Sequence, residues 1–141
     1  MIKVKLVNEN ARLPERANPT DAGADLFATE DCIILPMDNY FMDFGFQMEI
    51  PEGYCGLIFA RSGLGSKKGI RPRNCVGVID SKYRGNVGMM IENHNIQHVI
   101  LHKGDRIAQI VVVPILVCDF TMVDGLDIEN DRGGGFGHSG N

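Results

Sequence analysis

The sequence predicts an all-β fold of the jelly-roll kind, a distorted barrel, and three observations carry that prediction. Nine or ten short strand-like runs follow one another along 141 residues, with Gly, Pro, Asn or Asp between them. No window of a dozen residues sustains the 3.6-residue apolar period of a helix, and the apolar runs are rich in Val and Ile. Glycine, at 17 residues, has nearly twice its usual share and Trp is absent, as expected where tight turns join short strands.

The runs come in order. "IKVKLV" sets Ile2, Val4 and Leu6 on one face and Lys3 and Lys5 on the other, the period-two pattern of a half-buried strand. "ADLFA" (24–28), "CIIL" (32–35), "YFMDFGFQMEI" (40–50) and "YCGLIFA" (54–60) follow. "CVGVID" (75–80), "NVGMMIE" (86–92), "HVIL" (98–101) and "RIAQIVVVPILVCDF" (106–120) complete the series. "SGLGSKKG" (62–69) has room for one helical turn at most. Pro36, Pro51 and Pro114 suit strand edges or bends, where a missing N–H does no harm. There are no internal repeats. The composition shifts once, so the expected organisation is a barrel domain over residues 1–125 and a flexible glycine-rich arm over 126–141.

Composition narrows the class of function. A net charge of −4 offers no diffuse basic field, which speaks against nucleic acid as a partner; any anionic ligand must meet locally placed cations. No apolar run reaches membrane-spanning length and the first ten residues lack a signal-peptide core. Cys32, Cys55, Cys75 and Cys118 form no Cys-x-x-Cys pair and lie mostly in apolar runs. They read as reduced, buried thiols of a cytoplasmic or otherwise intracellular protein.

Five segments carry more polar chemistry than a turn requires. "DAGADL" (21–26) sets Asp21 and Asp25 around a glycine, and taken alone is equally an Asx-type turn opening a strand. "ARSGLGSKKGI" (60–70) offers Arg61, a hydroxyl at Ser62 and backbone N–H groups near Gly63, the parts of a phosphate cradle or of a polar loop. "NCVGVIDSKYRGNVG" (74–88) reads as a β-hairpin with Asp80 at its mouth and Tyr83 at its tip. A partly desolvated carboxylate closing so apolar a run is a candidate general base, and it is also a common turn cap. "KGDRIAQIVV" (103–112) puts Gln109 between Ala108 and Ile110, where it needs a partner if buried. The tail "RGGGFGHSG" brings Arg132, Phe136 and Ser139 among glycines, the makings of a lid over a nucleotide or of a frayed end.

In this order and spacing the five segments resemble the five motifs of the trimeric deoxyuridine triphosphate nucleotidohydrolases, the dUTPases, over nearly the whole chain. The resemblance implies a jelly-roll subunit, a homotrimer with active sites between subunits, and a C-terminal arm closing over a neighbour's site. It implies hydrolysis of dUTP to dUMP and pyrophosphate, with Mg²⁺ held mainly by the triphosphate and water. Asp80 then corresponds to the carboxylate that orients or deprotonates the attacking water, and Arg61, Ser62 and Gly63 to the phosphate contacts. Gln109 corresponds to the residue that holds that cluster, and Asp25 to an acid near the metal's water shell rather than a direct ligand. Uracil recognition falls on the backbone of Val78, Ile79 and Gly88 and on the Asn74 amide. Tyr83 packs on the sugar, Phe136 stacks on the base, and Arg132 and Ser139 meet the γ-phosphate.

Two positions depart from the family pattern. Three glycines separate Arg132 from Phe136 where four residues are usual, which shortens the reach from phosphate to base. Lys82 replaces a common acidic residue before Tyr83. Two other readings stand beside this one: a dCTP deaminase of the same fold, which needs a catalytic glutamate in the base pocket, and a non-catalytic nucleotide sensor or interaction module.

Overall fold

The computed structural model describes residues 1–129, 131 and 133; Arg132, Phe136 and Ser139 lie outside them. Among the described residues there are eleven strands and one short helix. β1 (Lys3–Leu6) pairs with β5 (Phe46–Glu49), and β3 (Cys32–Ile34) with β10 (Val99–Leu101). β2 (Ala24–Phe27), β11 (Arg106–Pro114), β6 (Tyr54–Ala60) and β8 (Gly77–Ile79) form a four-stranded sheet in the order β2-β11-β6-β8. β4 (Asn39–Asp43), β9 (Gly88–Asn93) and β7 (Ile70–Pro72) form a three-stranded sheet in the order β4-β9-β7. Every ladder is antiparallel, as in a jelly roll.

The sheets close on one apolar core. Leu26, Ile34, Met42, Phe44, Phe46, Ile58, Ile91 and Leu101 are almost wholly buried, and the Phe44 and Phe46 rings stack with centroids 6.4 Å apart. Period-two alternation places them: in β9, Met89 and Ile91 face in while Met90 faces out. The buried Asn93 amide is fully used, donating to the Ile34, Leu35 and Gln97 carbonyls.

The structure corrects several expectations. The run 40–50 is two strands, because Gly45 turns at φ +70, where an added Cβ would sit 2.6 Å from Asn8 Cβ. The run 106–120 stops at Pro114, opposite Tyr54 at the start of β6, since this chain offers no further partner strand. β7 was hidden in the sequence by its Arg and Pro; it forms because Ile70 and Pro72 are buried and β9 offers its edge. Pro72 is tolerated there because β7 is itself an edge strand. In β1, Ile2 and Val4 pack against the core, but Leu6 is 45% exposed.

The helix α1 (Ser62–Lys68) is seven residues long, closer to two turns than to one. It ends on Gly69, whose left-handed φ of 62 lets its N–H donate to the Leu64 carbonyl. All four cysteines are free, as expected, but only Cys32 and Cys55 are buried; Cys75 and Cys118 are exposed. No helix among the described residues is long and apolar enough to cross a membrane.

Candidate active site

The ladder β2-β11-β6 assembles a polar cluster from three of the five segments. Asp25 stands opposite Gln109, and Gln109 opposite Phe59, so these side chains share a row across the sheet. Gln109 is flanked by the buried Ala108 and Ile110, which sends it to the other face. Arg61, two residues beyond Phe59 and just past the end of β6, joins that face.

There the Arg61 Nε donates to Asp25 Oδ1 at 2.7 Å, and Arg106 Nη1 lies 3.5 Å from Asp25 Oδ2. The Asp25 side chain is only 13% exposed, so its charge needs these two cations. Arg61 spends its Nε on the carboxylate and one Nη on the Arg106 carbonyl at 3.5 Å, which fixes the plane of the fork. Gln109 finds the partner its position demanded: its Nε2 donates to the Ala60 carbonyl at 3.0 Å. Gly23 is needed for that, because a Cβ there would come 2.4 Å from Gln109 Oε1.

Asp25, Arg61, Ser62 and Gln109 line one cavity of about 350 Å³ with Ala17, Asp21 and Gly23. Ser62 and Gly63 open the first turn of α1. The first bonds into that turn are donated by Leu64 and Gly65 to the Arg61 carbonyl, leaving the Ser62 and Gly63 N–H groups ahead of them. A guanidinium, a hydroxyl and leading N–H groups around one concavity suit a phosphate chain. Asp21 is tied into its own turn by Asn18, whose backbone N–H donates to Asp21 Oδ2 at 2.8 Å.

The third segment departs from its expected form. β8 and β9 do not pair with one another: β8 lies on β6, and β9 lies between β4 and β7. The segment 74–88 therefore bridges two sheets instead of folding as a simple hairpin. A cavity of about 430 Å³ opens where the sheets part, lined by Asn74, Gly77, Gly88 and Ile58, with Arg73 and Met90. Val78 is 60% exposed and Ile79 half-buried against the core.

Asp80 follows Ile79, which stands opposite Gly56, and is exposed on this chain, so nothing within the subunit desolvates it. Tyr83 is 43% exposed, and its hydroxyl donates to the Asn86 carbonyl at 2.8 Å. Continuing the ladder sets Asp80 opposite Cys55, whereas Arg61 follows the far end of β6. Six residues of strand put them about 20 Å apart.

The structure thus brings Asp25, Arg61, Ser62 and Gln109 together, gathers Asn74 and Gly88 around a second cavity, and leaves Asp80 and Tyr83 outside both. Sequence reasoning missed Arg106 as a partner of Asp25, Gly23 as the seat of Gln109, and Arg73 at the second cavity. Gly23 was visible as the glycine inside "DAGADL"; the other two depend on contacts distant in sequence. Among the described residues no cluster of three or more His, Cys, Asp or Glu could hold a metal by itself.

An all-β, jelly-roll-like subunit bearing an arginine-serine cradle belongs to the nucleotide-hydrolysing class. The dUTPase family model matches residues 9–140. A deoxyuridine 5'-triphosphate nucleotidohydrolase of Clostridium tetani is 42% identical over 99% of this chain and 96% of that protein. One from Hydrogenobaculum is 38% identical over 97% of this chain and 96% of that protein. Among solved structures, a mutant dUTPase of Staphylococcus bacteriophage 80alpha with dUpNHpp superposes with a TM-score of 0.93 at 32% identity, covering 100% of this chain and 99% of that one. A mutant dUTPase from phage phi11 of S. aureus, described with a structural Mg(II) ion, superposes at 0.84 with 31% identity, over 90% of this chain and 99% of that one. The chain belongs to the dUTPase family.

Proposed function

We propose that this chain hydrolyses dUTP to dUMP and pyrophosphate in a homotrimer whose sites are completed between subunits. Water attacks the α-phosphorus, the bond to the bridging oxygen breaks, and pyrophosphate leaves. Asp80 orients the water and takes its proton. Arg61, Ser62 and Gly63 receive the phosphates; Asp25 and Gln109 hold that cradle in shape. Asn74 and the backbone of Val78, Ile79 and Gly88 read uracil, and Tyr83 covers the sugar. From outside the described residues, the arm 126–141 would bring Arg132 and Ser139 to the γ-phosphate and Phe136 over the base.

The observation that carries the shared site is the separation along β6. A base must stand within hydrogen-bond reach of its water, yet Asp80 lies about 20 Å from the cradle of its own subunit. The distance closes when Asp80 serves a neighbour's cradle. The segment after β11 supports assembly too: Leu116, Val117, Phe120 and Met122 are each more than 75% exposed, a run of apolar surface that a lone chain leaves wet. Four free thiols favour a reducing, intracellular setting.

Mg²⁺ fits as a cation carried by the substrate. Both Asp25 oxygens face arginines, so this residue reaches the ion through water rather than as a ligand. When bound, the ion supplies neutralisation of charge building on the phosphate oxygens.

Pyrophosphate release measured side by side on dUTP, dTTP, dCTP and UTP with Mg²⁺ tests the reading. Turnover confined to dUTP is expected. Ammonia release from dCTP would replace this function with deamination, and absence of any turnover would favour a sensor.

A further inference from the structure

The Tyr83 ring is placed by a polar relay from the far side of the barrel, which neither the general family reading nor the cradle explains. Tyr83 lies flat on Gly85: a Cβ there would come 2.5 Å from its hydroxyl oxygen and 2.7 Å from Cζ. Its hydroxyl donates to the Asn86 carbonyl at 2.8 Å. The Asn86 side chain is in turn gripped at both ends. Its Nδ2 donates to Asp43 Oδ2 on β4 at 2.8 Å, and its Oδ1 accepts from Gln47 Nε2 on β5 at 3.1 Å.

The relay is itself anchored. Asp43 Oδ1 accepts from the Gly45 N–H at 2.7 Å, so one carboxylate fixes the β4–β5 turn and Asn86 together. Val87, fully buried, donates to the Phe46 carbonyl at 2.8 Å and accepts from the Phe44 N–H at 2.9 Å. From the other side, Arg84 Nη1 donates to the Ser81 and Tyr83 carbonyls at 2.7 and 2.8 Å. An exposed loop of polar residues and glycine thereby acquires one shape. That many specific contacts are more than loop closure needs.

We infer that Gly85, Asn86 and Asp43 are positioning residues for sugar discrimination, acting through the place of the Tyr83 ring. The inference rests on the proposed reading of Tyr83 as the wall against the sugar. A ring held within a few tenths of an ångström rejects a ribose 2′-hydroxyl; a ring free to swing yields to it. Asp43 and Gln47 belong to strands with no other part in the site, so sugar choice is set partly from the β4–β5 turn.

The test is the ratio of kcat/KM for dUTP to that for UTP in Gly85→Ala, Asn86→Ala and Asp43→Ala, beside Tyr83→Ala. The ratio is the right readout because any loss of folded enzyme cancels between the two substrates. Expected is a fall of about tenfold or more in all four variants. A fall in Tyr83→Ala with unchanged ratios in the other three overturns the relay and leaves the reading of Tyr83 standing. An unchanged ratio in Tyr83→Ala itself removes that reading, and the inference with it.

Discussion

At the scale of single residues, Asp25 decides what the cradle can do. It is a nearly buried carboxylate held by two guanidinium groups, and its service to Arg61 is orientation: with Nε committed, the rest of the fork is left for phosphate. Gly23→Ala should displace Gln109 from the Ala60 carbonyl and lower kcat/KM for dUTP by about tenfold or more, since small misplacements near a reacting centre are costly. A steady-state comparison with Gln109→Ala checks this, and an alanine at position 23 with unaltered kinetics would show that Gln109 has no part. Asp80→Asn should cut pyrophosphate release by about 10²–10⁴-fold with nucleotide affinity largely kept, the usual contribution of a general base. Single-turnover rates and equilibrium binding of a non-hydrolysable analogue separate the two effects. The cysteines complete the residue scale: burial, then Glu30 and Asp31, push the Cys32 thiol above its ordinary range, so a thiol reagent should leave it unmodified in the native protein.

At the scale of elements, the legibility of the sequence follows the range of the forces involved. The strand "YCGLIFA" was readable to the residue because its own apolar character decides it, and β6 spans Tyr54–Ala60. Partner choice was not readable: β8 and β9 look like the arms of a hairpin, yet each pairs with strands distant in sequence. Likewise the parts Asp25, Arg61 and Gln109 were visible singly, while their meeting depends on the β2-β11-β6 register. Asp43 and Asn86 gave no local signal, because their hydrogen bond joins positions 43 residues apart.

The β1–β5 pair offers an element-scale prediction about pH. Lys3 Nζ lies 2.8 Å from Glu49 Oε2, and first Lys3, then Arg84, hold the Glu49 carboxyl below its usual range. A depressed carboxyl pKa contributes stability that is present above the unfolded value and is lost as pH falls through the folded one. The pair is solvent-exposed, so the effect is small and salt-screened. Lys3→Met should flatten the acid side of a urea-midpoint profile slightly, and the difference from the parent should vanish at high salt.

At the scale of the whole molecule, two demands meet in one chain. The barrel is complete as a core, and truncating Phe44 to alanine should cost about 3–5 kcal/mol by denaturant titration, the usual toll for a fully buried ring. The site is incomplete as chemistry, because β6 holds the cradle and the base apart. Both facts follow from the same strand: its apolar alternation builds the core, and its length separates Arg61 from Asp80. Assembly into a trimer resolves the second demand without disturbing the first.

Subunit complementation tests that central claim most directly. Asp80→Asn and Arg61→Ala chains, each inactive alone, are mixed in equal amounts, dissociated, reassembled and assayed for dUTP turnover. If each site takes its cradle from one subunit and its base from another, about a quarter of the sites in random trimers recover both groups, and activity returns to that fraction. A mixture as inactive as its two components would contradict the account, because it would mean that Arg61 and Asp80 must come from the same chain.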